Sequence, residues 1–256
     1  MTAVIEQQTM NRTEPRTRFN EVWRVVRLHA VTPSVFFGIP WIILGGAWAV
    51  SMIVGIIITG ASADVAEMGE GMRYSWAVLS PQWYLVAVGV QAIGMTLSFA
   101  LGFGATRRDF WLGTSLMFGI VSLLNAVAIA TLVQLEKATG GWWIGISMFD
   151  ALWYGQNGWL VDFYTTLALQ LLVLFIGASI TTVYLRWRMR GMMILIFGAI
   201  ALMLAAVALA TFTESWPTIV EWLGGIGIVG MFTVVLGLAA FFAIGGYFVI
   251  RRATPR

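Results

Sequence analysis

The chain has no cysteine, which excludes disulfides and thiolate metal sites. Charge is scarce as well: Asp, Glu, Lys and Arg make up 11% of the 256 residues, against about 25% in a soluble domain that must keep its surface wet. There is one histidine, His29. One histidine cannot build a bis-histidine haem site or a two-histidine zinc site, and no metal site is expected. His29 reads as an interfacial polar residue beside the membrane, outside the hydrocarbon. No Gly-x-x-x-x-Gly-Lys-Ser/Thr phosphate loop occurs, so the chain does not bind ATP by that device. No catalytic motif marks it as an enzyme. Arginine almost replaces lysine, and alanine, glycine and valine are abundant, a composition that points to a GC-rich bacterial genome. No secretory signal peptide is expected, because the first apolar run is too long for one and follows some thirty mostly polar residues.

What is abundant is apolar sequence: 59% of the chain, with a mean hydropathy of +0.86. It falls into six long runs, at about 34–59, 82–105, 110–135, 161–185, 192–212 and 226–250. Each carries the ~20 residues a helix needs to cross a ~30 Å hydrocarbon core. Lipid demands that backbone groups be satisfied internally, which leaves helices or a closed barrel. Barrel strands alternate in polarity over ~10 residues, and these runs do not. The expectation is an all-α integral membrane protein with six transmembrane helices. Its parts are a cytoplasmic arm and amphipathic connecting helix (1–33), a six-helix domain (34–250) and a basic tail (251–256).

Charge placement orients it. The N-terminal arm, Arg107/Arg108, Arg186/Arg188/Arg190 and Arg251/Arg252/Arg256 put 13 basic residues on one side, against Arg73 and Lys137 on the other. The positive-inside rule places both termini in the cytoplasm. Asp64, Glu67, Glu70, Glu136, Asp150, Asp162, Glu214 and Glu221 all fall outside. The net charge of +3 thus reports topology and is no nucleic-acid signature.

Residues 1–16 read as a disordered polar arm. Phe19, Val22, Trp23, Val26 and Ala30 then share one helical stripe, with Arg18, Glu21 and Arg24 off it. Pro33 ends this helix, which is expected to lie on the inner leaflet, as an anchor or also against a cytoplasmic partner. The loop 61–81 is acidic and irregular. In 136–160, Trp142, Ile146, Phe149 and Trp153 fall on one face of a hypothetical helix, so a surface helix in the aromatic headgroup belt is expected. At 213–227, Pro217 can start a turn that Gly224, Gly225 and Gly227 break, predicting a short re-entrant or interfacial element before the last span.

Ion-coupled transporters keep ionisable groups in mid-membrane. None of the six runs has one near its centre. Their polar residues are neutral: Gln91, Thr96, Ser98, Asn125, Gln170, Ser179 and Thr181. Most such residues glue helices together, with Asn125 and Gln170 the expected exceptions. A pathway of amides, hydroxyls and methionines suits an amphipathic substrate better than a small ion.

The most specific local motif is the tight turn Thr106-Arg107-Arg108-Asp109-Phe110, followed by Gly113-Thr114, between the second and third runs. With six spans, inside termini and an N-terminal interfacial helix, it resembles the permease subunits of type-2 ABC transporters, mostly bacterial exporters. The resemblance covers almost the whole chain as architecture and is sharp only over 101–114. It implies that the turn is the coupling element that docks on a separate ABC ATPase subunit, two per complex, which carries ATP and Mg; this chain itself holds no cofactor. Thr106, Arg107, Arg108, Asp109 and Phe110 would dock there, with Phe110 and Trp111 as an anchor. Phe19, Val22, Trp23 and Val26 would belong to the connecting helix beside it. The second and fifth spans of two permease chains, identical or related, would line a cavity with Gln91, Thr96, Ser98 and Met203 as candidate pathway residues and Met192 and Met193 nearby. The implied location is the bacterial plasma (inner) membrane, multi-pass. Two other classes stay open: an ion-coupled secondary transporter or channel, and a non-transporting membrane scaffold or assembly factor.

Overall fold

A computed structural model describes residues 18–60 and 71–253. The arm 1–17, loop residues 61–70 and the tail residues 254–256, including Arg256, lie outside this set. Among the described residues there are seven α-helices and no strand. They are α1 Arg18–Ala30, α2 Ile39–Gly60, α3 Ser80–Gly94, α4 Leu97–Gly102, α5 Arg107–Ala138, α6 Trp159–Phe212 and α7 Trp216–Ile250. Five helical stretches are long and apolar enough to cross a membrane: Ser34–Gly60, Ala77–Gly102, Arg107–Ala138, Trp159–Phe212 and Trp216–Ile250. The described chain is all-helical with the character of a multi-pass membrane protein.

The fifth and sixth apolar runs are where the structure adds most. α6 counts 54 residues, and as a straight rod it would reach roughly 80 Å at 1.5 Å per residue. It is not a rod. Arg188 breaks it at φ 53, ψ −144, a region that residues other than glycine occupy only under strain. A Cβ built on Gly191 would lie 3.2 Å from Val183 Cγ1 and 3.4 Å from its carbonyl oxygen. Eight residues of continuous helix would separate those positions by about 12 Å. The chain therefore doubles back at Arg188 into two arms, 159–187 and 189–212. A second break, at Gly227 (φ 62, ψ −175), divides α7. The helix runs unbroken through Gly224 and Gly225, so of the three expected breakers only Gly227 acts.

The first arm of α6 is the centre of the bundle; α3, α5 and α7 all pack on it. Its contact with α3 is backbone to backbone. A Cβ on Gly89 would fall 2.3 Å from the Leu174 carbonyl oxygen, and one on Gly177 would fall 2.1 Å from that of Val86. Small residues permit this approach where helices must associate without a hydrophobic driving force. Around the crossing, Leu85, Val88, Ile93, Phe118, Leu174 and Ala178 are buried. The second arm of α6 and the start of α7 are largely exposed.

The second apolar run is not one helix. It pauses at Met95 and Thr96, and Thr96 Oγ1 donates a hydrogen bond back to the Ala92 carbonyl oxygen. Such back-bonding competes with the helical ladder. The surface helix expected in 136–160 does not form either. A five-residue turn, Gly141–Gly145, is followed by irregular chain. Gly140 and Gly141 adopt φ 62 and 77, and a Cβ on Gly141 would meet the Ile146 nitrogen at 2.6 Å. Burial divides these aromatics: Phe149 and Tyr154 are core residues and Trp142 packs against their cluster, while Trp143 is exposed.

Candidate functional site

At one end of the bundle the start of α5, the end of α7 and the hairpin of α6 bring the arginines together. Thr106 is the N-cap of α5: its Oγ1 accepts from the Asp109 backbone nitrogen at 3.1 Å and donates to Asp109 Oδ2 at 2.6 Å. An acidic residue in the first turn also suits the helix dipole. The turn is thus locked by its own side chains. Arg107 donates to the Arg251 carbonyl oxygen at 3.5 Å, tying the turn to the end of α7. Arg108 is exposed. Phe110 and Trp111 correct the sequence reading: both are buried, at 0% and 4% exposure. They are core residues here, not exposed anchors, because the helix that Thr106 starts turns their faces inward.

Helix α1 lies against the same segment. Its buried face is Val25, Val26 and His29, with Val22 half-buried. Phe19 and Trp23, on the stripe expected to face the inner leaflet, stack on each other at 6.3 Å and are exposed. A Cβ on Gly113 would meet Val25 Cβ at 2.5 Å, so only glycine lets α1 sit this close to α5. His29 is buried within the protein rather than on its surface. It is 1% exposed, its Nε2 lies 3.0 Å from Thr114 Oγ1, and Phe36 stands edge-on to its ring at 5.5 Å. Burial lowers its pKa from 6.5 to about 4, so it is held neutral. Between α1 and the turn lies a cavity of about 250 Å³ lined by Arg24, Val25, Leu28, Phe103 and Ala105 among others.

The candidate pathway residues differ in burial. Gln91 and Thr96 are half-buried, Ser98 lies on the exposed side of α4, and Met203 is exposed on the second arm of α6. A different polar seam runs through the core. Gln82, Ser122 and Gln170 are buried, and Gln82 Nε2 and Oε1, Ser122 Oγ and Gln170 Oε1 have no protein partner among the described residues. Register aligns the two glutamines. α3 and the first arm of α6 run the same way, since Gly89 meets Leu174 and Ala178, and Gly94 meets Thr181. Gln82 and Gln170 each stand seven residues before a crossing glycine, two turns up the same face. Asn125, by contrast, is glue: its Oδ1 accepts from Trp41 Nε1 at 3.1 Å.

The opposite end carries a site that sequence reasoning passed over. Glu136, in the last turn of α5, is fully buried. Its carboxylate accepts from Trp142 Nε1 at 2.6 Å and from the backbone nitrogens of Met148, Phe149 and Asp150 at 3.0, 3.0 and 2.7 Å. A negative charge at a helix C-terminus is unfavourable, and this ring of donors offsets it. Lys137 Nζ donates to the Gly155 carbonyl oxygen. Asp162 accepts from the Gly155 nitrogen at 3.0 Å, and Arg73 pairs with Asp150 at 3.3 Å. Tyr154 is buried, its pKa pushed up to about 12 by desolvation, and it bonds Thr166. The segment 139–158 is therefore a cap strapped to the bundle by buried polar groups. The only sequence signal was the acidic residue next to Lys137; its amide partners carry no signature.

Comparison with known proteins finds no matching family model, no matching curated protein and no matching solved structure. Among the described residues no group of three or more His, Cys, Asp or Glu could hold a metal ion.

Proposed function

We propose that this chain is the membrane-spanning permease subunit of an ATP-driven exporter of the type-2 ABC class. In this reading six helices cross the bacterial plasma membrane, the hairpin of α6 supplying two of them. Both termini and the arginine end face the cytoplasm. Two such chains meet, and each engages an ABC ATPase subunit that binds ATP and Mg. The substrate is amphipathic: a lipid-like, peptide or drug-like molecule.

The observation that carries the reading is the rigid unit formed by α1 and the capped turn. The turn is locked by Thr106 and Asp109, and α1 is clamped to it through Gly113 and His29. Phe103 lines the groove between them, and Phe19, Trp23 and Arg108 are exposed elsewhere on the same unit. Aromatic and arginine side chains on a preformed surface are what a protein-docking hot spot is made of. A unit that cannot flex locally passes displacement into α5 and, through Arg107, into α7. The uncharged seam of Gln82, Ser122 and Gln170 agrees with a substrate that needs hydrogen bonds but no counter-ion.

The test is co-purification with an ABC ATPase from the same genome, followed by Arg108→Glu with Phe103→Ala. The variant is expected to insert and fold normally but to lose stimulated ATP hydrolysis by about 30-fold or more, in line with 2–5 kcal/mol for a docked, desolvated charge. Normal stimulation in the variant would remove the turn as the docking site. Absence of any associating ATPase would remove the exporter reading.

A further inference from the structure

Beside the docking turn, at the same end of the bundle, lies a second concavity of about 470 Å³. It is lined by Arg186, Phe248, Val249, Arg251 and Arg252. Its chemistry is one-sided. Three of the five residues are cationic, and none of these, nor Arg188 and Arg190 on the adjoining hairpin, pairs with a carboxylate among the described residues. Three of the five guanidiniums are held instead on aromatic rings: Arg186 lies 4.1 Å over Trp187, Arg188 5.7 Å over Tyr184 and Arg251 5.6 Å over Tyr247. Stacking of this kind orients a guanidinium while leaving its donors open. The other two lining residues are apolar. Phe248 begins an exposed stripe on α7 that continues through Ile244 and Phe241 at helical spacing, running from the cleft toward the middle of the bundle.

We propose that this cleft binds an anionic phospholipid, its phosphate headgroup held by Arg186, Arg251 and Arg252 and one acyl chain laid along Phe248, Ile244 and Phe241. Arginine forks match phosphate oxygens, and basic pockets between membrane helices are suited to such headgroups. A free phosphate ion would use the arginines but gain nothing from the apolar stripe. The ring of Tyr184, Trp187 and Tyr247 sets the cleft at headgroup depth, where amphipathic aromatics settle. The inference depends on the membrane character of the chain and not on the exporter reading, and no ATPase enters its test.

The experiment uses the full chain, purified in neutral detergent, with lipid adducts counted by native mass spectrometry. Dioctanoyl phosphatidylglycerol, dioctanoyl phosphatidylcholine and inorganic phosphate are titrated separately and in competition. Phosphatidylglycerol is expected to bind about tenfold or more tighter than phosphatidylcholine, and millimolar phosphate is expected not to displace it. Arg186→Gln with Arg252→Gln should weaken phosphatidylglycerol by about 30-fold, from about fivefold per arginine. Phe248→Ala should weaken it less and leave the headgroup preference intact. Equal binding of the two lipids, or unchanged affinity in the double arginine variant, would overturn the proposal. Displacement by millimolar phosphate would overturn it in favour of a free-phosphate site. Should the double variant fail to fold, the selectivity of the unmodified chain decides alone.

Discussion

The two ends of the bundle use charge in opposite ways. At the cap, Glu136, Asp150, Asp162, Lys137 and Arg73 all have partners within the chain. At the other end Arg108, Arg186, Arg188, Arg190 and Arg252 have no carboxylate among the described residues, and the architecture there rests on apolar contact between α1, α5 and α7. The difference separates a closed structure from an open surface. Groups whose bonds are all internal hold a shape. Groups whose donors point outward are available to something else: in the readings proposed above, a protein at the turn and a lipid at the cleft.

The comparison can be broken or sharpened by experiment. The largest effect is expected from Glu136→Ala, which leaves an indole and three backbone amides buried without an acceptor. It should cost about 3–5 kcal/mol, read as a lower unfolding temperature in detergent and as rapid proteolysis within 139–158. A stable, protease-resistant variant would mean the cap is not held by its carboxylate. Next comes acid. His29 is neutral in the folded chain because its pKa drops from 6.5 to about 4. Below pH 6.5 the unfolded chain binds the extra proton and the folded chain does not. The stability present above that pH is therefore lost progressively as pH falls toward 4, up to about 3 kcal/mol. His29→Gln should flatten that part of the pH profile; an unchanged slope would assign the acid sensitivity to another group.

Gly113→Ala follows, at about 1–3 kcal/mol, because its methyl overlaps Val25 and the Val22 carbonyl. Its expected signature is local: α1 becomes accessible to protease while the cap stays resistant. Simultaneous loss at both ends would show that they are not independent. The smallest effect is expected from Arg73→Ala. The Arg73–Asp150 pair spans 3.3 Å and its arginine is 62% exposed, so less than about 1 kcal/mol should be lost.

The helices were legible because lipid demands long uniform apolar runs, and the runs near 34–59 and 110–135 reappear as Ser34–Gly60 and Arg107–Ala138. Their interruptions were less so. Arg188 lies inside a charged cluster that reads as a loop, yet helix continues to both sides of it. The aromatic spacing of 142–153 imitates a helix, and positive-φ glycines overrule it. Phe110 and Trp111 follow a charged turn in sequence, so they look exposed, but one residue of helical phase decides which way they face. His29 and Glu136 were beyond reach for a common reason. The partner of one lies 85 residues away, and those of the other are mostly backbone amides, which every residue except proline carries.

The glycine crossing of α3 and α6 has a mechanical consequence. Where two backbones touch at Gly89 and Gly177, the helices have no side-chain cushion to shear and no slack to slide through. They behave as one beam pivoting on a pin. The compliant joints are then the pause at Met95–Thr96 below the pin and the reversal at Arg188. A push on the turn at Thr106–Phe110 would bend the beam at those joints before it could pull the pin apart. The leverage available at the far end is set by the ratio of the two lengths on either side of a pair of missing side chains.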